Sequence, residues 1–348
     1  MKVQCERIEM EKNKQGKVVV VTGASAGVGR AVVTEFARQG ASIGLIARGK
    51  DRLEATRREV EELGGEALVL PTDVADARQV EEAAERVEKE LGPIDIWVND
   101  AMTTIFAPFL KITPEEFKRA TEVTYLGQVY GTMAALKRMH ARNRGTIVQV
   151  GSALAYRSIP LQSPYCGAKH AISGFTDSIR SELIHDKSAV HITAVMLPAM
   201  NTPQFSWCRT RLPRHPQPVP PIFQPEVAAR AIVWAATHKR REVYVGFPTV
   251  KAIYGNELAP AFADRYLAKN GYDGQQTSQP VSPNRPDNLF EPVEGNYDAH
   301  GIFGDRAKDF SVQSFINLES MTVVSKRGLA ASAALILGGL LFATLRSR

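Results

Sequence analysis

The stretch "KVVVVTG" (Lys17–Gly23) runs straight into a glycine-rich turn, and Val28, Val32 and Phe36 then recur at helical spacing up to Gly40. A continuous β-branched run without polar alternation suits a strand covered on both faces, which is the condition of strands in parallel sheets. The pattern repeats down the chain. "ASIGLIAR", "EALVLPTD", "IDIWVN", "GTIVQVGS" and "HITAVMLP" read as further strands, with helices at Asp51–Leu63, Ala75–Leu91 and Pro164–His185. Thr113-Pro114-Glu115-Glu116 forms a capping box with proline at the first helical position, so it opens a helix predicted to reach Arg142. Helix Glu226–Lys239 and strand "REVYVG" complete seven strands. Strands separated by helices of this length imply right-handed βαβ units and hence an α/β doubly wound parallel sheet.

The rest of the chain divides by composition. Residues 1–15 form a charged extension with no apolar core, unlike a secretory signal. Residues 16–270 hold the predicted domain, within which 200–225 is a Pro/Arg-rich excursion expected to border the substrate pocket. Residues 271–325 are polar, with Pro, Gly, Asn and Gln throughout, and read as a linker. Within 326–348, Gly328–Leu345 is eighteen residues without a charge, bracketed by Lys326, Arg327, Arg346 and Arg348. A helix of that length spans ~27 Å, so a membrane-crossing C-terminal helix is expected, with the domain facing the cytoplasm.

Several classes are disfavoured. The net charge of +6 is mild and partly gathered around that apolar run, so no nucleic-acid surface is expected. Three widely spaced cysteines (Cys5, Cys166, Cys208) and no His cluster give neither a disulfide framework nor a metal site.

"TGASAGVG" (Thr22–Gly29) lies between the first strand and the first helix. Gly23, Gly27 and Gly29 let the backbone turn tightly near a pyrophosphate, and the free amides of the helix start, at Val28 and its neighbours, point towards it. Far downstream, "SPYCGAKHAISGF" places Tyr165 four residues before Lys169, on one face of a helix. Tyr156, nine residues earlier, has Pro160 where that lysine would stand, so it is expected to pack or line the pocket. TGxxxGxG followed by YxxxK resembles the short-chain dehydrogenase/reductase family over Lys17–Pro203, and more weakly to Gly271. The resemblance implies a Rossmann-like sheet of strand order 3-2-1-4-5-6-7, a nicotinamide cofactor and a homo-oligomer.

The second strand ends in Arg48, where an NAD enzyme carries an acid for the adenosine ribose. An arginine fork suits a 2′-phosphate, and Ser25 offers a hydroxyl beside it, so NADP(H) is the expected cofactor. By resemblance, Asp73 and Val74 flank the adenine, Asn99 and Ala101 support the cofactor, and Pro198 and Thr202 stand near the nicotinamide.

The chemistry expected of such a set is carbonyl–alcohol interconversion on a small, apolar substrate. Tyr165 is the general acid or base, Lys169 is expected to lower the phenol's pKa, and Ser152 orients the carbonyl oxygen. Three positions depart from the family pattern. Thr124 replaces the asparagine that supports the lysine relay and is taken as its catalytic stand-in; Asp100 and Met102 turn "NNAG" into "NDAM". Thr124 and Met102 motivate a rival reading, a dinucleotide-binding sensor or membrane-tethered scaffold, and the fold also admits an epimerase or dehydratase using the same tyrosine.

Overall fold

The computed structural model describes residues 16–295 and 297–314. Seven strands form one sheet: β1 (Val18–Thr22), β2 (Ser42–Ala47), β3 (Glu66–Pro71), β4 (Ile96–Asn99), β5 (Thr146–Ser152), β6 (His191–Leu197) and β7 (Glu242–Tyr244). Their spatial order is 3-2-1-4-5-6-7, and every neighbouring pair is parallel, as the βαβ pattern requires. The register starts at Val18 opposite Ser42 and continues to Ser152 opposite Leu197, so the carboxyl ends line up along one edge of the sheet.

Helices cover both faces. Val19 and Val21 of β1 pack with α1 (Gly27–Ala37), α2 (Lys50–Glu62) and α7 (Pro225–Thr237). Val18 and Val20 point the other way, against α3 (Ala77–Glu90), α5 (Gly127–Arg142) and α6 (Ser163–His185). A strand alternates its side chains, so the unbroken run of four valines lets β1 serve two apolar layers at once.

The helix predicted from Thr113 to Arg142 is interrupted. It begins as α4 (Pro114–Thr121) with the capping box in place, passes through a π turn at Glu122–Leu126, and resumes as α5. The π turn carries Thr124, whose hydroxyl donates to the Thr103 carbonyl at 2.8 Å and accepts from the Thr103 amide at 3.0 Å.

Beyond β7, α8 (Phe247–Leu258) and α9 (Pro260–Asn270) form a helical pair. Residues 271–314, expected to run as a linker, instead return across the domain. Gln276–Pro280 pairs antiparallel with Arg214–Pro216, and Ala307–Lys308 pairs with Ile222–Phe223. Leu289 is fully buried among Ile105, Ala107 and Ala120, and Phe303 packs on Phe106 and Phe205. Polar composition misleads here because the segment is held largely through its backbone carbonyls, which any sequence supplies. The expected membrane-crossing run, Gly328–Leu345, lies outside the described residues, as does the 1–15 extension. Among the described residues no helix is long and apolar enough to cross a membrane.

Candidate active site

A cavity of about 620 Å³ runs along the carboxyl ends of the strands, within the usual range of small-molecule sites. One end is lined by Gly23, Ser25, Gly27, Val28, Arg48, Asp73 and Val74; the other holds Ser152, Tyr165 and Lys169, with Ala101, Pro198 and Thr202 between. Thirteen of the residues singled out from sequence therefore meet around one space. Gly29, Asn99 and Thr124 do not line it.

The glycine turn is built for close approach. Gly23 and Gly27 have φ of 76° and 60°, a region costly for side chains. A Cβ on Gly23 would stand 3.0 Å from the Ala101 Cα, and one on Gly27 would stand 3.3 Å from the Thr202 side chain. Gly29 acts from behind: a Cβ there would meet the Gly23 carbonyl oxygen at 2.3 Å. Glycine keeps this groove open at its entrance and lets α1 pack beneath it. The donor set fits a dinucleotide: two positive-φ glycines, the start of α1, the Ser25 hydroxyl and the Arg48 guanidinium share one end of the cavity.

At the other end, β5 delivers Ser152 at its last residue and α6 presents Tyr165 and Lys169 one turn apart. The Ser152 hydroxyl is buried and accepts from the Leu154 amide at 3.1 Å, which fixes its direction. Lys169 is 2% exposed; its ammonium donates to the Val150 carbonyl at 2.6 Å and lies 5.5 Å from the centre of the Tyr165 ring. Burial pushes the Lys169 pKa down, opposed by the negative charge of Asp100. Burial also holds the Tyr165 phenol above its ordinary value, with hydrogen bonding to Ser152 pulling the other way and Cys166 and Asp100 adding to the rise. The net shift of the phenol is therefore upward. Desolvation of the phenolate outweighs its neighbours.

Two residues do something other than expected. Asn99 turns its amide away from the cavity into a buried network, donating to Thr132 and Gln149 at 3.1 and 3.0 Å and accepting from the Trp97 indole at 2.8 Å. Alternation along β4 sends Asn99 to the α5 side of the sheet. Thr124 is engaged at Thr103 and makes no hydrogen bond to Lys169, whose partner is Val150. Both brace elements of the site from outside it.

Arg48 is engaged by the chain itself. Its two terminal nitrogens donate to the carbonyls of Phe290 and Asn288, at 2.5 and 2.6 Å. Arg52 bonds the Val293 carbonyl, and the Gly27 amide donates to the Asp298 carbonyl at 3.1 Å. Asp73 accepts from Arg119 at 2.6 Å.

The excursion at 200–225 folds into a one-turn helix (Gln204–Trp207) and short strands. Phe205 and Leu212 are core residues. Arg209 and Arg211 pair with the buried Glu116 at 2.7 and 2.6 Å, and Arg214 pairs with Asp273, so these cations are bound to carboxylates. Tyr156 bonds Glu242 at 2.6 Å, and its ring meets the Tyr244 ring edge-on, outside the cavity. Sequence reasoning marked Asp100 only as a departure. It lines the cavity, with Gly29 donating its amide to the carboxylate.

A family model described as short chain dehydrogenase matches residues 17–210. YxnA of Bacillus subtilis (strain 168), described as an uncharacterized oxidoreductase, is 32% identical over 294 residues, covering 84% of this chain and 82% of its own. A metagenomic short-chain oxidoreductase solved in complex with NADP is 25% identical with a TM-score of 0.57, covering 66% of this chain and 97% of its own. An alcohol dehydrogenase from the archaeon Thermococcus sibiricus, complexed with 5-hydroxy-NADP, is 27% identical with a TM-score of 0.58, covering 66% and 96%.

Proposed function

The chain belongs to the short chain dehydrogenase family, and from that premise we propose that it is an NADP(H)-dependent oxidoreductase interconverting a carbonyl and an alcohol on an apolar small molecule. The observation that carries this reading is the meeting of Ser152, Tyr165 and Lys169 on one wall of the cavity that begins at the glycine turn. The nicotinamide dinucleotide supplies the hydride equivalent when bound.

Every other part falls to the chain. Gly23 and Gly27 admit the pyrophosphate to the backbone, and the amide of Val28 at the start of α1 favours its charge. Ser25 and Arg48 hold the 2′-phosphate, Asp73 and Val74 the adenine side, and Ala101, Pro198 and Thr202 the nicotinamide side. The Ser152 hydroxyl bonds the substrate oxygen, already aimed by the Leu154 amide. Tyr165 gives its proton to that oxygen in reduction and takes it back in oxidation. Its raised pKa makes the neutral phenol the resting form, ready to donate. Lys169 stabilises the phenolate once the proton has left. Asn99 and Thr124 are positioning residues, bracing β4 and the π turn.

The substrate end of the cavity is lined by Leu154, Ile159, Phe205, Val219 and Leu267, which supports an apolar substrate. The arginines of 209–214 are paired with carboxylates, so they add no open anion site.

Tyr165→Phe tests the assignment. Turnover of NADPH against a panel of apolar ketones and aldehydes should fall about 10²–10⁴-fold while NADPH binding persists. A variant with undiminished turnover would refute the role given to Tyr165.

A further inference from the structure

Three consecutive carbonyls of the returning C-terminal segment are held by two arginines. Arg48 takes those of Asn288 and Phe290, and Arg119 takes that of Leu289 at 3.2 Å. The Leu289 side chain, between the two Arg48 contacts, is fully buried and pins the segment in place. The same stretch also grips the loop beside the substrate end. The Asn288 amide donates to the Trp207 carbonyl at 3.0 Å, and Arg285 donates to the Phe205 carbonyl at 2.6 Å. One strap thus joins the residue that discriminates between dinucleotides to the one-turn helix that borders the substrate.

We propose that the Asn288–Phe290 strap is a clasp on Arg48 that a dinucleotide bearing a 2′-phosphate displaces and one lacking it does not, and that its release frees the Phe205–Trp207 turn to receive substrate. This rests on the cofactor reading above and goes beyond it. The physical basis is competition for one guanidinium. Neutral carbonyls hold it in the closed state, whereas a phosphate dianion offers a bidentate, charge-assisted partner of about twice the strength per bond. Burial and the neighbouring Arg119 push the Arg48 pKa down, and the nearby carboxylates of Asp73 and Glu291 oppose that shift. NAD(H) presents only neutral ribose hydroxyls at this point, which offer no charge-assisted bond with which to displace two carbonyls. A ligand shifts such an equilibrium only through its differential affinity for the two states, and here the 2′-phosphate is the whole difference.

Hydrogen exchange on the full chain tests this, with calorimetric titration of each dinucleotide alongside. The Asn288 and Leu289 amides are hydrogen-bonded in the closed state, to Trp207 and to the Asp287 carboxylate at 2.8 Å. Saturating NADP⁺ should speed exchange across 286–294 and 204–208 by about tenfold or more, and NAD⁺ should leave both peptides unchanged. NADP⁺ that binds while leaving the strap unchanged or protected overturns the clasp, as does equal release by NAD⁺; in either case the cofactor reading stands. Absence of calorimetric binding for both dinucleotides would instead sink the cofactor reading and the clasp with it. Leu289→Ala, which loosens the pin without touching the cavity, should tighten NADP⁺ binding several-fold and leave NAD⁺ affinity unaltered; equal affinities before and after for NADP⁺ count against the clasp.

Discussion

Lys169 donates to the carbonyl of Val150, two residues before Ser152 on the same strand, at 2.6 Å. The bond ties helix α6 to strand β5, so the phenol on one and the hydroxyl on the other keep a fixed relation. It also anchors an ammonium that is almost wholly removed from water. Replacing it with methionine keeps the length and apolar stem but removes the charge and the donor. Lys169→Met should lower kcat/KM by about 10²–10⁴-fold, with far-ultraviolet circular dichroism unchanged. A loss under threefold in a folded variant would mean that the charge contributes little to proton transfer.

Asp100 is moved in the opposite sense to Lys169 by the same cause. Burial raises the carboxyl and lowers the ammonium, while their mutual attraction opposes both shifts. A carboxyl whose folded pKa lies above its ordinary 3.8 binds more protons folded than unfolded across that gap. Its contribution to stability is therefore greatest at low pH and declines as pH rises through the gap. Asp100→Asn does not titrate. The melting temperature of the wild type relative to this variant should fall as pH rises from about 4 towards neutrality, and a flat difference would contradict the assignment. Loss of the anion also lets the Lys169 pKa drop further, so the basic limb of the kcat/KM profile should move to lower pH.

Most of the scaffold is legible because it is written in local patterns. The unbroken valine run of β1 announces two apolar layers, the capping box at Thr113 is found as expected, and the strand order is the one the family resemblance implies. Residue types at fixed spacing also bring Ser152, Tyr165 and Lys169 together. What sequence misses is a matter of direction and of partners. Asn99 pairs with Thr22 at the start of the glycine turn, yet the alternation of β4 turns its amide into the layer under α5. Thr124 matches a family position, but a hydroxyl reaches only the nearest backbone, that of Thr103. The returning C-terminal segment leaves almost no signal. Its carbonyls are gripped by Arg30, Arg48, Arg52 and Arg119, of which sequence singled out Arg48 alone, as a 2′-phosphate partner.

Glu116 closes two jobs with one carboxylate. It caps α4 through the Thr113 amide, at 3.0 Å, and it binds Arg209 and Arg211 of the substrate-side excursion while 3% exposed. Although burial alone raises it, the two arginines and the Thr113 amide bring its pKa down to about 2, against an ordinary 4.5. A depressed carboxyl stabilises the fold above its unfolded pKa, and that contribution disappears as pH falls from 4.5 towards 2. Glu116→Gln should lose about 2 kcal/mol at neutral pH and flatten the acid limb of the stability profile. Chemical denaturation at pH 3 and pH 7 measures both, and a variant as stable as the wild type at pH 7 would show the cluster to be solvated.

Residues 271–314 carry buried apolar weight, which distinguishes an integral segment from one merely laid on the surface. Leu289 fills a site between Ile105, Ala107 and Ala120, and Phe303 packs edge-on against Phe205 at 5.9 Å between ring centres. Removing both exposes their pockets, at about 1.5–3 kcal/mol each, before any lost hydrogen bond is considered. For a domain of this size about 1 kcal/mol moves the melting temperature by ~2–4 °C, so a chain ending at Asn270 should melt roughly 10–20 °C below one ending at Ser314. The comparison isolates the returning segment, because both chains lack the same residues beyond 314. Equal melting temperatures would place the segment outside the cooperative unit. In that case the buried state of Leu289 would have to be one of several arrangements of similar free energy. The expected difference, by contrast, makes the segment part of the folded domain and gives the arginine-held carbonyls a fixed scaffold to act from.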